Sequence, residues 1–149
     1  MRIGKITKPV VTDCINRQWG EYTIDLHFID NFTVIAGDSA TGKTFLAAII
    51  LGDIAYSSKI LRFNYSIMGS LDTLVNTINT TRGAIFVLDN ADLLLTEEVS
   101  EAILAHRHDN QYIFIGRRLN GFLVGLQSYS ELVFDANTKT FSLVYPFMQ

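Results

Sequence analysis

Eight consecutive residues, Gly37-Asp38-Ser39-Ala40-Thr41-Gly42-Lys43-Thr44, fit the pattern G-x-x-x-x-G-K-[ST] and carry the chemistry of polyphosphate binding. Gly37 and Gly42 permit backbone angles and close approaches that a side chain would forbid. A loop of this kind turns its N–H groups inward as a nest for anions. A helix starting near Gly42 would add its free N–H groups and the positive end of its dipole. Lys43 would reach the β- and γ-phosphates as a mobile charge, and Thr44 would set its hydroxyl on Mg²⁺. Phe45 closes the stretch of candidate binding residues.

The flanking residues decide whether such a match is more than a glycine-containing turn. Asn31 to Ala36 reads as a short buried strand, and Phe45 to Leu51 as a helix, running from about Gly42 to Tyr56. Strand, loop and helix in that order is the context the chemistry needs. Ahead of it, Ile3 to Asp13 and Gln18 to Ile29 predict two extended segments joined by a turn, the second alternating at Tyr22, Ile24, Leu26 and Phe28. Lys59 to Asn64 predicts a strand. Leu71, Leu74, Val75 and Ile78 recur at helical spacing after an N-cap at Ser70, and Asn79 to Gly83 stops that helix. The solid apolar run Ala84 to Leu88 predicts a strand covered on both faces, ending at Asp89. Thr96 caps a further helix with Glu97, Glu98 and Glu101 near its positive end. Tyr112 to Ile115 predicts another buried strand, and Ser130–Phe134 and Thr140–Tyr145 predict closing strands around a turn at Asn137–Lys139. The expected fold class is α/β: a three-layer sandwich with a mostly parallel central sheet, plus an N-terminal antiparallel hairpin. Its ligand site belongs at the carboxyl ends of the strands.

The paired motifs resemble the P-loop NTPase superfamily. Gly37 to Thr44 is similar to its Walker A motif, and Ala84 to Asp89 to its Walker B. One strand and one helix between them is similar to the additional-strand branch, which includes the AAA+, RecA-like, ABC and STAND ATPases. The resemblance covers roughly residues 28–134. It implies ATP with Mg²⁺ as the ligand, held by Thr44 and Asp89. It also implies a water-activating position immediately after Asp89, where this chain has Asn90. An amide can orient water but cannot accept its proton as a carboxylate does. Asp92, Glu97 or Glu98 could serve instead. Arg117 and Arg118 follow the strand that resembles the branch's sensor strand, and either could reach the γ-phosphate in cis or as an arginine finger in trans; Arg82 is a weaker finger candidate. Trp19 or Tyr22 could stack on adenine, or fill a turn or core.

Composition bounds the alternatives. The 149 residues predict one nucleotide-binding domain over 1–149. A net charge of −3 supplies no global positive field for nucleic acid, though a local basic patch stays open. The single cysteine, Cys14, excludes an intrachain disulfide. His106 and His108 lack partners at metal-ligand spacing and fit a polar helix terminus. No apolar run reaches membrane-spanning length and no signal-peptide core is visible, so the expectation is a cytoplasmic protein. No N-K-x-D motif selects guanine, no LSGGQ-like stretch appears, and no helical lid follows the core. Three functions fit: a slow Mg²⁺-dependent ATPase, a nucleotide-responsive interaction module without significant hydrolysis, and a small-molecule or nucleotide kinase. A homo-oligomer or a larger protein complex fits each.

Overall fold

Val87 and Leu88 are fully buried, and so is every neighbour in the run from Ile85. The alternation of their side chains shows why. Ile85 and Val87 enter one buried cluster, Phe86 and Leu88 another, so both faces of this strand are covered. The same division holds for Ile113 and Ile115 against Tyr112 and Phe114, and for Ile35 against Phe32 and Val34. These three strands are the centre of the protein.

The structure is a computed structural model that describes residues 9–36, 60–64, 71–116 and 128–147. In chain order its elements are β1 (Cys14–Trp19), β2 (Tyr22–His27), β3 (Phe32–Ala36), β4 (Ile60–Asn64), α1 (Leu71–Thr80), β5 (Ile85–Asp89), α2 (Ala91–Leu94), α3 (Glu97–Ala105), β6 (Gln111–Gly116), β7 (Tyr129–Asp135) and β8 (Thr140–Val144). All eight strands form one sheet in the order β1-β2-β8-β7-β3-β6-β5-β4. Pairing is parallel from β7 through β3, β6 and β5 to β4, and antiparallel in the two hairpins. The expected helix over 42–56 and the Ser70 cap lie outside the described residues.

The expected three-layer sandwich is corrected. The sheet is a curled, open half-barrel that wraps through 251°. The N-terminal hairpin is not an appendage to a flat core. Thr23, Ile24 and Asp25 of β2 pair in parallel with Thr140, Phe141 and Ser142 of β8, so both hairpins extend the sheet itself. Strand twist accumulates over eight strands, and a sheet that wide curls. One buried cluster accordingly runs from Ile15 on β1 to Ile60 on β4, the two extremes of the strand order. None of the three described helices contributes to it. Leu74 and Ile78 of α1, Ala91 and Leu94 of α2, and Val99, Ala102 and Ile103 of α3 all enter the second cluster. The resemblance to the P-loop NTPase superfamily falls with the sandwich, since that superfamily's layered architecture is not the one this sheet adopts.

Residues 3–8 of the expected first segment lie outside the described residues, and residues 9–13 form no strand, so the described hairpin begins later than expected. Its strands are Cys14–Trp19 and Tyr22–His27, and the turn is Gly20–Glu21. Gly20 takes a φ of +58°, the left-handed region where glycine is at no disadvantage, and a two-residue loop with glycine first suits a tight hairpin.

Polar side chains fasten the amino-terminal ends of the parallel strands. Asn110 is fully buried; its Oδ1 accepts from the Ala84 N–H at 3.0 Å, and its Nδ2 donates to the Thr81 carbonyl at 3.0 Å and the Tyr112 hydroxyl at 3.3 Å. The Tyr112 hydroxyl donates to the His106 carbonyl at 3.1 Å, and burial pushes its pKa up to about 12. Asn31 accepts from the Val10 N–H at 2.8 Å and donates to the Arg107 carbonyl at 3.0 Å. Asn110→Ala should therefore destabilise by about 2 kcal/mol, because it strands buried backbone groups, and urea denaturation will measure it. Asp109 contacts His106 Nδ1 at 2.9 Å and Arg82 Nε at 3.4 Å, and these partners hold its carboxyl below the ordinary value of 3.8. A depressed folded pKa stabilises above the unfolded value, and the contribution disappears as pH falls through the folded one. Asp109→Asn should thus lower the denaturation midpoint at pH 6 and converge on the wild type once the pH falls below the carboxyl's lowered folded-state value.

Candidate functional site

The registers align the carboxyl ends of four parallel strands. Ala36, the last residue of β3, pairs with Gly116 of β6 on one side and with Glu131 of β7 on the other. Asp89 ends β5 opposite Ile115 of β6 and Asn64 of β4. Ile115 also pairs with Ile35, so Asp89 stands level with Ile35, two strands away and roughly 10 Å distant by ordinary strand spacing. Gly37 follows Ala36, Arg117 follows Gly116 and Asn90 follows Asp89. The three chemically loaded segments therefore depart from one end of the sheet. Ser130 fixes β7 beside β3, its buried hydroxyl donating to the Val34 carbonyl at 2.7 Å.

Asp89 is buried at 6% exposure. By strand alternation it faces the side of Ile85 and Val87. Its Oδ1 accepts from the Asn90 N–H at 3.0 Å, which ties the carboxylate to its own turn. Asn90 occupies the left-handed region with φ 56° and ψ 46°. It precedes the first turn of α2, its carbonyl accepting from the Leu93 N–H at 2.9 Å, and its exposed amide makes no capping hydrogen bond. Among non-glycine residues asparagine tolerates this conformation best, so the backbone here accounts for an asparagine by itself.

The other candidates divide. Asp92 is exposed in the first turn of α2, next along the chain from Asp89 and Asn90. Glu97 and Glu98 lie in the first turn of α3, where Thr96 accepts from the Val99 N–H at 3.3 Å; their charges serve that helix's dipole. Arg82 precedes β5 and belongs to the opposite sheet end, where it donates to the Thr81 carbonyl at 2.8 Å and pairs with Asp109. Arg107 sits over the Phe32 ring at 5.3 Å, and His106 caps α3. Burial and the Asp13 charge push the Cys14 thiol up, away from nucleophilic chemistry. Tyr22 packs against Phe134 and Phe141. Gly37 to Phe45, Arg117, Arg118 and the Trp19 side chain lie outside the described residues. Sequence reading missed the aromatic group at Phe134 and Phe141, whose rings meet at 4.7 Å only because β7 and β8 pair.

Among the described residues no three His, Cys, Asp or Glu side chains gather to hold a metal ion. No protein-family model matches the chain, and no curated protein matches it. The Walker A and Walker B designations are therefore withdrawn with the family resemblance: a pattern of eight residues and an apolar run ending in aspartate remain, without the architecture those names imply. None of the described helices is long and apolar enough to cross a membrane.

The left-handed turn gives a direct check. Asn90→Ala should destabilise by about 1 kcal/mol and Asn90→Gly should be close to neutral, because only the alanine carries a Cβ that this conformation opposes. Denaturant midpoints of the two variants will measure the difference.

Proposed function

We propose that this chain binds ATP with Mg²⁺ and turns it over slowly. The observation that carries the reading is the alignment of strand ends. The Gly37–Thr44 run leaves β3 at the sheet end where β5 terminates in Asp89, with β6 alone between them. An anionic polyphosphate there would meet backbone N–H groups and the Lys43 ammonium, and neither requires proton transfer. Mg²⁺ would neutralise charge on the phosphate oxygens, and the Thr44 hydroxyl and the Asp89 carboxylate are the groups that would enter its shell. Asn90 can orient a water molecule without taking its proton, and Asp92 is the nearest exposed carboxylate along the chain. Slow turnover follows from that pairing. Arg117 and Arg118, leaving β6 at the same end, supply positive charge from within the chain or to a neighbouring copy.

Asn90 also favours a second reading, a nucleotide-responsive interaction module with no significant hydrolysis. Steady-state phosphate release separates the two. Release abolished by Asp89→Asn supports the enzyme, whereas saturable ATP binding without release supports the module. Calorimetric titration tests what both share. ATP should bind in a Mg²⁺-dependent manner and more tightly than GTP, and Lys43→Ala should weaken binding at least tenfold while leaving the denaturation midpoint unchanged. No saturable binding of either nucleotide would refute the proposal.

A further inference from the structure

Past the end of β3 the sheet continues, among the described residues, through β7. Glu131 pairs with the terminal Ala36, and β7 then runs four residues further to Asp135. Over that extension it pairs with β8, and β8 with β2. The two hairpin turns meet at its tip, where the Thr23 N–H donates to the Lys139 carbonyl at 2.8 Å and the Lys139 ammonium contacts Glu21. A braced, two-hairpin wall thus rises beside the point where the Gly37–Thr44 run begins.

One face of that wall is aromatic. Phe134 and Phe141 are register partners, with rings 4.7 Å apart, and Tyr22 packs on both, at 5.9 Å from Phe134 and 5.8 Å from Phe141. Tyr22 and Phe141 are half-buried, whereas Phe134 is 46% exposed. Phe134 alternates with the core residue Leu132 and therefore faces the same side of the sheet as Asp89, which alternates with Val87. By ordinary strand geometry the Phe134 Cα lies about 11 Å from that of Ala36: one strand across and three residues along. An extended nucleoside triphosphate is long enough to cover such a span between its outer phosphates and its base.

We infer that Phe134, backed by Phe141 and Tyr22, is the platform on which the purine base of the bound nucleotide stacks. This rests on the nucleotide-binding reading above and adds its base-recognition element. The other possible occupant of an exposed phenylalanine, an apolar segment of a protein partner, would require nothing of the distance and common face that link Phe134 to the phosphate end. The platform reads a π-face and not hydrogen-bonding edges, so it favours purines by their stacking area and does not itself separate adenine from guanine. Tyr22, wedged behind the phenylalanines, braces the platform.

The test compares ATP with inorganic tripolyphosphate, both with Mg²⁺, in calorimetric titration of wild type, Phe134→Ala and Phe134→Trp. The expected result is about a tenfold or greater loss of ATP affinity in Phe134→Ala, unchanged tripolyphosphate affinity, and ATP affinity retained in Phe134→Trp. Unchanged ATP affinity in Phe134→Ala overturns the platform, and so does an equal loss for both ligands. Failure of the wild type to bind either ligand overturns the underlying nucleotide reading instead. An apolar partner as the true occupant would leave both affinities unchanged in Phe134→Ala.

Discussion

The main-chain pairing of β3 with β6 on one side and β7 on the other is the constraint on which the remaining arrangement depends. It sets the level of Ala36 against Gly116 and Glu131. Because β6 also pairs with β5, it sets Asp89 two strands from the end of β3, the strand that the glycine-rich run follows in sequence. Because β7 runs on past Glu131, it also carries the aromatic hairpins beyond the level of Ala36. A one-residue slip of β3 would turn Val34 and Ile35 to the wrong clusters and shift the strand end relative to Asp89. Burial on both faces makes such a slip costly, so the same apolar packing that stabilises the centre also fixes the geometry of the end.

The two ends of the parallel strands are built differently. The amino-terminal end is closed by neutral and charged side chains that bond one another or the backbone: Asn110, Asn31, Tyr112, Asp109 with His106 and Arg82, and Gln111, whose Oε1 accepts from the Val11 and Thr12 N–H groups while its buried Nε2 has no partner among the described residues. That end is fastened. The carboxyl end carries a left-handed turn at Asn90, an exposed Asp92 and an exposed Phe134.

Legibility from sequence followed the range of the interactions. β5 was readable because five apolar residues in succession require cover on both faces, and Asp89 was readable as the first polar residue after them. α3 was readable because Thr96 and the acidic first turn act within four residues of each other. β1 was not: Asn16, Arg17 and Gln18 are poor strand formers, and the strand exists through its six register partners on β2. α2, four residues long, gives no periodicity to find. The curl was out of reach for a stronger reason. It depends on β2 joining β8, residues more than a hundred positions apart, and a hairpin's own pattern cannot say which edge it extends. The aromatic group at Tyr22, Phe134 and Phe141 is a product of that same junction.

The central claim is that one end of this sheet receives a nucleotide and the other does not. Amide hydrogen exchange on the whole chain, with and without ATP and Mg²⁺, tests it most directly. The account predicts slowed exchange in peptides spanning the β3, β5 and β6 carboxyl ends, the segments that begin at Gly37, Asn90 and Arg117, and no change around residues 81–83 and 106–110. Slowed exchange confined to residues 81–83 and 106–110, or no change anywhere at saturating nucleotide, would contradict it.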